Sequence, residues 1–125
     1  MEEHPNAVLV RRSLGALNSG DVQSLVSLLD DDVEWHEIGR VEPIRGKAAL
    51  AERFGSELSD AQFTGKLHDV VANDEHTIAL AETTATRGGR SLTYRTAEIM
   101  HIRDGKVTAR WAFSDDTAAI NEFFA

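Results

Sequence analysis

Residues 90–115, RSLTYRTAEIMHIRDGKVTARWAFSD, have the pattern of one long β-hairpin. Asp104-Gly105 separates two runs rich in β-branched, aromatic and aliphatic residues, which predicts a two-residue hairpin turn. Such a turn fixes the register of the two strands. The residues that it places opposite one another are Arg103 and Lys106, Ile102 and Val107, Met100 and Ala109, Glu98 and Trp111, Thr96 and Phe113, and Tyr94 and Asp115.

Side chains alternate along a strand, so the predicted hairpin has two faces. One face is apolar apart from two carboxylates, a hydroxyl and a phenol; it holds Tyr94, Thr96, Glu98, Met100, Ile102, Val107, Ala109, Trp111, Phe113 and Asp115. We expect this face to line the core, with Glu98 against Trp111, and Arg95 and Arg110 on the opposite face. The alternative is a β-bulge, which would flip the register and place Glu98 in water.

The rest of the chain places helices first and strands late. Apolar spacing predicts helices over 5–17, after Asp21, and over 47–58, with a strand at 33–37 between the second and third. Asp30 to Asp32 reads as a turn, strands follow at 63–72 and 76–86, and 117–124 reads as a short helix or lid. The order predicts one α+β domain over residues 1–125, with N-terminal helices packed on a curved antiparallel sheet.

Composition excludes several classes of function. The net charge of −8 argues against nucleic acid or an anionic membrane as a partner. The absence of cysteine excludes disulfides, thiolate metal sites and thiol catalysis. No apolar run approaches the ~20 residues of a membrane span, and the N-terminus lacks the apolar region of a signal peptide, so we expect a cytoplasmic protein. No histidine pair has metal-ligand spacing and no phosphate-binding loop is present, so we expect neither metal nor cofactor.

Several segments together resemble a known superfamily. ALNSGDVQSLVSLLDDDVEW, then a Gly/Pro loop, GKAALAERF, and an IRDGKV hairpin ending in Phe-x-Asp are similar to the NTF2-like superfamily, in particular to its SnoaL-like and ketosteroid-isomerase-like branch. The resemblance spans about residues 7–115. It implies a cone-shaped fold that hosts isomerases, cyclases, epoxide hydrolases, dehydratases and non-catalytic modules.

The resemblance to steroid isomerases implies roles for individual residues. WHEIGRVEPIRG has their spacing around the catalytic base, which falls on Glu37, and their oxyanion-hole carboxylic acid falls on Glu98. Their oxyanion tyrosine position holds Ser13 here. In SnoaL-like cyclases a carboxylate near the end of the last strand does acid/base work, and Asp115 has that place, with Tyr94 as an auxiliary phenol.

These residues predict proton-transfer chemistry on a small apolar carbonyl compound such as a steroid or polyketide. Glu37 would act as the base, and Glu98, kept neutral by burial, would donate to the developing oxyanion, a logic for which ketosteroid isomerase is itself the worked example. Glu37 as a rim glutamate and Asp115 as a capping residue are the structural alternatives. The expected substrate-binding residues are Ser13, Trp35, Phe54, Met100, Trp111 and Phe113.

Two other functions compete with the isomerase or cyclase. Ser13 in place of a tyrosine favours a non-catalytic module that binds a small ligand or a protein. Epoxide hydrolysis needs carboxylates and an arginine in one pocket, and the predicted register places Arg95 and Arg110 outside it.

The outer face of the predicted sheet is too apolar for water, since it mixes Ile78, Leu80 and Ile99 with charged residues. We therefore expect a homodimer through that face.

Overall fold

The computed structural model describes residues 2–57 and 59–125. Its helices are α1 (Pro5–Ser19), α2 (Val22–Ser27), α3 (Lys47–Glu52), which continues as a π-helical turn (Arg53–Glu57), and α4 (Thr117–Phe123). Its strands are β1 (Leu29–Trp35), β2 (Ile44–Arg45), β3 (Ala61–Ala72), β4 (Thr77–Arg87), β5 (Arg90–Arg103) and β6 (Lys106–Ser114). Leu58, which the sequence placed in the third helix, lies outside the described residues. No helix in the described ranges is long and apolar enough to cross a membrane.

The strands form one curved sheet in the order β2-β1-β6-β5-β4-β3. The α+β class predicted from the sequence is confirmed. The sheet is mixed and not purely antiparallel, because β1 runs parallel to β6. β1 reaches that position directly after α2, so Asp30 to Asp32 are strand residues and not the predicted turn.

The β5–β6 hairpin has the predicted turn but only part of the predicted register. Asp104 and Gly105 take φ values of 52° and 75°, as a two-residue hairpin turn requires. Arg103 pairs with Lys106 and Ile102 with Val107 as expected, but His101 then pairs with Ala109. Thr108 is the extra residue of a β-bulge, and its hydroxyl donates to the His101 carbonyl at 3.2 Å.

This bulge turns the rest of β6 over. The inner face of the sheet, which packs on the helices, keeps Tyr94, Thr96, Glu98 and Met100 from β5, and β6 now adds Arg110 and Ala112 to it. Trp111 and Phe113 move to the outer face. The predicted pairs of Glu98 with Trp111, Thr96 with Phe113, Met100 with Ala109 and Tyr94 with Asp115 are therefore wrong; Glu98 lies opposite Ala112.

The helices cover the inner face. α1 approaches β3 so closely at Gly65 that a Cβ there would lie 2.6 Å from the Leu14 side chain. The Asn18 amide brackets the same glycine, accepting from its N–H at 2.7 Å and donating to its carbonyl at 2.9 Å. α3 contributes Leu50, which is fully buried against Val33 of β1 in the main core. This main core fills one end of the inner face, and Thr96, Glu98 and Arg110 lie outside it.

Candidate functional site

The centre of the candidate site is an ion pair between Glu98 and Arg110 on the inner face. Arg110 Nη2 donates to Glu98 Oε1 at 2.6 Å, and the two side chains are 11% (Arg110) and 33% (Glu98) exposed. On the β4 side Glu98 faces Ala79, whose small side chain leaves space above the carboxylate. Oε2 of Glu98 has no partner among the described side chains, so one carboxylate oxygen remains available to a ligand.

Three contacts fix the Arg110 guanidinium. Besides Glu98, it donates to the His36 carbonyl at 3.1 Å through Nη1, and it stacks over the Trp35 ring with 4.3 Å between Cζ and the ring centroid. Trp35 in turn meets Phe54 edge-to-face, with 6.3 Å between centroids. Arg110 is thus held from three directions and positions the carboxylate of Glu98.

Tyr94 supplies a phenol to the same face. It lies four residues before Glu98 on β5, and it is buried. Burial raises the pKa of the Tyr94 phenol, while the charge of Arg110 lowers it and that of Glu98 raises it. The net shift is upward, so Tyr94 is a neutral hydrogen-bond donor throughout the physiological range.

Glu37 lies just after β1, not within a strand as the sequence predicted. Arg53 Nε donates to both of its carboxylate oxygens, at 3.1 and 3.2 Å, and Arg40 Nε lies 3.6 Å from Oε1. The Glu37 side chain is only 16% exposed. Two guanidinium groups therefore occupy the carboxylate, which suits a structural ion-pair network more than a mobile base.

The apolar residues around this centre fall into two groups. Met100 lies in the main core, and Trp35 and Phe54 pack against it. At the other end, α4 covers the inner face, where Ile120 and Phe123 are buried against Tyr94 and Ala85. α4 is held there through side chains: Arg90 and Arg87 lie over the Phe123 and Phe124 rings at 5.1 and 5.9 Å. The predicted terminal helix thus closes the open end of the cone.

Four predicted site residues lie elsewhere. The Ser13 hydroxyl donates to the Val10 carbonyl within α1 at 2.8 Å. Asp115 is exposed and accepts from the backbone N–H of Arg95 at 3.0 Å, which ties the end of the hairpin. Because of the bulge, Trp111 and Phe113 lie on the outer face, where Trp111 stacks on His36 at 5.1 Å. They cannot line the inner face as predicted.

The sequence missed the roles of Arg110 and Arg53. It offered a β-bulge only as an alternative that would turn Glu98 into water, whereas the bulge in β6 leaves Glu98 on the inner face and brings Arg110 to it. Arg110 was placed outside because Ala109, Trp111 and Phe113 look like the inner residues of an alternating strand. A strand with apolar side chains on both faces gives no periodic signal of a register shift. An unpartnered, buried hydroxyl at Thr96, between Tyr94 and Glu98, was also not recognised.

The described residues show no group of three or more His, Asp or Glu side chains arranged to hold a metal ion. The pairing of β1 with β6 ends at Trp35 and Arg110. Beyond that point a cavity of about 180 Å³ lies between the segment His36–Arg40 and Trp111 of β6. Its lining includes Glu37 and Ala112 together with the outer-face residues Trp111 and Phe113, whereas neither Glu98 nor Arg110 lines it.

Comparison with known proteins gives consistent results. The SnoaL-like domain family matches residues 10–110. An uncharacterized protein of Mycobacterium tuberculosis is 30% identical over 138 aligned positions that cover 100% of both chains. The structure of Bal32a, from a soil-derived mobile gene cassette, is 31% identical with a TM-score of 0.81 and covers 96% of each chain. An LEH-like epoxide hydrolase of M. tuberculosis is 19% identical with a TM-score of 0.81, over 92% of this chain and 86% of that one, and shares the fold.

Proposed function

The chain belongs to the SnoaL-like domain family, and from this premise we propose that it is a cofactor-independent isomerase or cyclase that moves a proton on a small, apolar carbonyl compound. The family and the fold fit an isomerase, a cyclase or a ligand-binding module alike. The observation that carries the catalytic proposal is the partly buried pair Glu98–Arg110 with its free carboxylate oxygen, on the same face of β5 as the neutral phenol of Tyr94.

In the proposed reaction Glu98 is the base and Tyr94 the hydrogen-bond donor. Glu98 Oε2 takes a proton from a carbon next to the carbonyl, the C–H electron pair becomes the enolate, and Tyr94 donates to the enolate oxygen. The same carboxyl returns the proton at another position, so the substrate is isomerised without oxidant or cofactor. Arg110 positions the carboxylate of Glu98. This assignment replaces the sequence-based roles, in which Glu37 was the base and Glu98 a neutral acid.

Deuterium exchange into an enolisable ketone tests the proposal directly. We expect the wild type to accelerate exchange at the α-carbons of 2-tetralone in D₂O, followed by proton NMR, and Glu98→Gln to slow it by roughly 10²- to 10⁴-fold. Glu37→Gln is the matched control and should keep most of the rate, because its carboxylate is occupied by Arg53. If the wild type does not exceed the buffer rate, the proposed proton transfer on carbonyl compounds is wrong.

Hydrolysis of an epoxide is the second candidate, and the position of Arg110 is what favours it. The sequence made this reaction the less favoured alternative because Arg110 was expected outside the site, whereas it contacts Glu98 at 2.6 Å. A carboxylate held by an arginine can take a proton from water while a neutral phenol donates to the epoxide oxygen. Formation of a diol from styrene oxide, lost in Glu98→Gln, would favour this reaction over enolisation.

The proposal extends to a homodimer through the outer face. Apolar side chains lie exposed there, with Phe113 57%, Val71 55% and Leu80 40% exposed. The bulge adds Trp111 and Phe113 to this face, so it is more apolar than the sequence indicated. The occupant that we propose is a second copy of the same sheet, because a two-fold interface needs only one self-complementary surface.

A further inference from the structure

Thr96 is a buried polar residue for which neither the fold nor the proposed reaction accounts. It is 8% exposed, and its Oγ1 has no hydrogen-bond partner among the described residues. A buried hydroxyl without a partner destabilises the folded state, because it loses its hydrogen bonds to water. Such a group needs an explanation in terms of function or an unseen partner.

The position of Thr96 relates it to the candidate site. It shares the inner face of β5 with Tyr94 on one side and Glu98 on the other, about 6.6–6.8 Å away along the strand in each direction. Across the sheet it lies opposite Ala81 and Ser114, whose side chains are small. A second unpartnered buried donor, Arg110 Nε, lies on the other side of Glu98. The Glu98 carboxylate thus lies between two donors, Thr96 Oγ1 and Arg110 Nε, that have no hydrogen-bond partner among the described residues.

Thr77 also has a buried hydroxyl without a partner among the described residues, but its surroundings differ from those of Thr96. Thr77 lies opposite Met100 and Ala72 in the apolar end of the inner face. No ionisable side chain stands beside it on its strand, where Ala79 is the next inner residue. Thr77 is therefore an apolar-core hydroxyl, whereas Thr96 is one of a row of polar groups.

We infer that Thr96 Oγ1 is a substrate-binding donor: it holds an oxygen atom of an otherwise apolar ligand, a ketone or alcohol, beside Glu98. This inference rests on the proposed function, since it places the ligand oxygen in the site of proton transfer. Tyr94 and Thr96 then select together for oxygen-bearing ligands over hydrocarbons of the same shape. A hydroxyl that finds its partner only in the ligand adds discrimination, because the ligand that lacks the oxygen leaves it unpaired.

Thr96→Val tests the inference, because valine keeps the shape and removes the hydroxyl. We expect Thr96→Val to raise the melting temperature by roughly 3–10 °C, as a buried unpartnered hydroxyl is lost. We expect it to weaken binding of 2-tetralone by about 3- to 10-fold while leaving binding of tetralin unchanged. Both affinities are measured by displacement of the fluorescent probe N-phenyl-1-naphthylamine.

Thr77→Val is the matched control. It should raise the melting temperature in the same way and leave the preference for 2-tetralone over tetralin as it is in the wild type. The inference is overturned if Thr96→Val leaves that preference unchanged, if it lowers the melting temperature, or if the wild type shows no preference or binds neither compound.

The exchange experiment separates this result from the proposed reaction. If deuterium exchange depends on Glu98 but Thr96→Val keeps the ligand preference, proton transfer stands and the role of Thr96 falls. If Thr96→Val loses the preference although no exchange is catalysed, the oxygen-binding role stands in a binding module.

Discussion

The ion pair between Glu98 and Arg110 makes a quantitative prediction about stability. Arg110→Met keeps an unbranched side chain over Trp35 and removes the charge, and Glu98→Gln keeps the shape of the carboxyl group. A double-mutant cycle with both substitutions isolates the coupling between the two side chains from their other contacts. The cycle also tests the bulge, because without it Arg110 would lie on the outer face.

Burial sets the size of the coupling. Removing one partner of a fully buried pair costs about 3–5 kcal/mol, whereas fully exposed pairs contribute about 0–1 kcal/mol. Arg110 is 11% exposed and Glu98 33%, and their contact of 2.6 Å is charge-assisted. We therefore expect a coupling free energy of about 1–3 kcal/mol, with Arg110→Met the more destabilising single change because it leaves a carboxylate unpaired.

Urea denaturation monitored by tryptophan fluorescence measures the cycle. Glu82 and Arg95 are the matched control, because they lie directly opposite each other on β4 and β5 but are exposed on the outer face. Their coupling should stay below about 1 kcal/mol. A coupling below about 0.5 kcal/mol for Glu98 and Arg110 would refute the ion pair, and with it the register that the bulge imposes.

Two further predictions concern titration and assembly. Tyr94 is the only tyrosine, so absorbance at 295 nm follows it alone; its midpoint should lie above the ordinary pKa of 10.0. Because the folded-state pKa is raised, the folded protein binds more protons than the unfolded chain above pH 10, and stability falls as pH rises through the folded pKa, a loss that Tyr94→Phe should abolish. Phe113→Glu should convert the proposed dimer to monomer in sedimentation experiments at micromolar concentration, whereas Val41→Glu, at a 92% exposed loop position, should not. A monomeric wild type would contradict the dimer.

The order of helices and strands was predictable because local signals determine it. Asp21 accepts from the Ser24 N–H and caps α2, and Asp104-Gly105 makes the expected turn. The two pairs next to that turn follow from its geometry. Beyond Thr108 the register predicted from alternating side chains was wrong. A bulge depends on how β6 pairs with both β1 and β5, and no local sequence pattern reports that pairing.

The part of the site that the sequence identified lies on β5, and the part that it missed depends on β6. Tyr94 and Glu98 stayed on the inner face because β5 pairs with β4 without a shift in register. Glu37 was identified by its spacing, but its two arginine partners come from the following loop and from the π-helical turn after α3, so its environment required the tertiary fold.

The bulge decides which chemistry Glu98 can perform. Opposite Trp111, as the unshifted register had it, the carboxyl would meet an indole, and loss of water would favour its neutral form, a hydrogen-bond donor. With Thr108 inserted, Arg110 takes the place beside Glu98 and donates to its carboxylate at 2.6 Å. The donor role then falls to Tyr94, whose phenol stays neutral because it is buried. A single extra residue in β6 thus replaces an indole beside Glu98 with a guanidinium, and this is why we assign proton abstraction to Glu98.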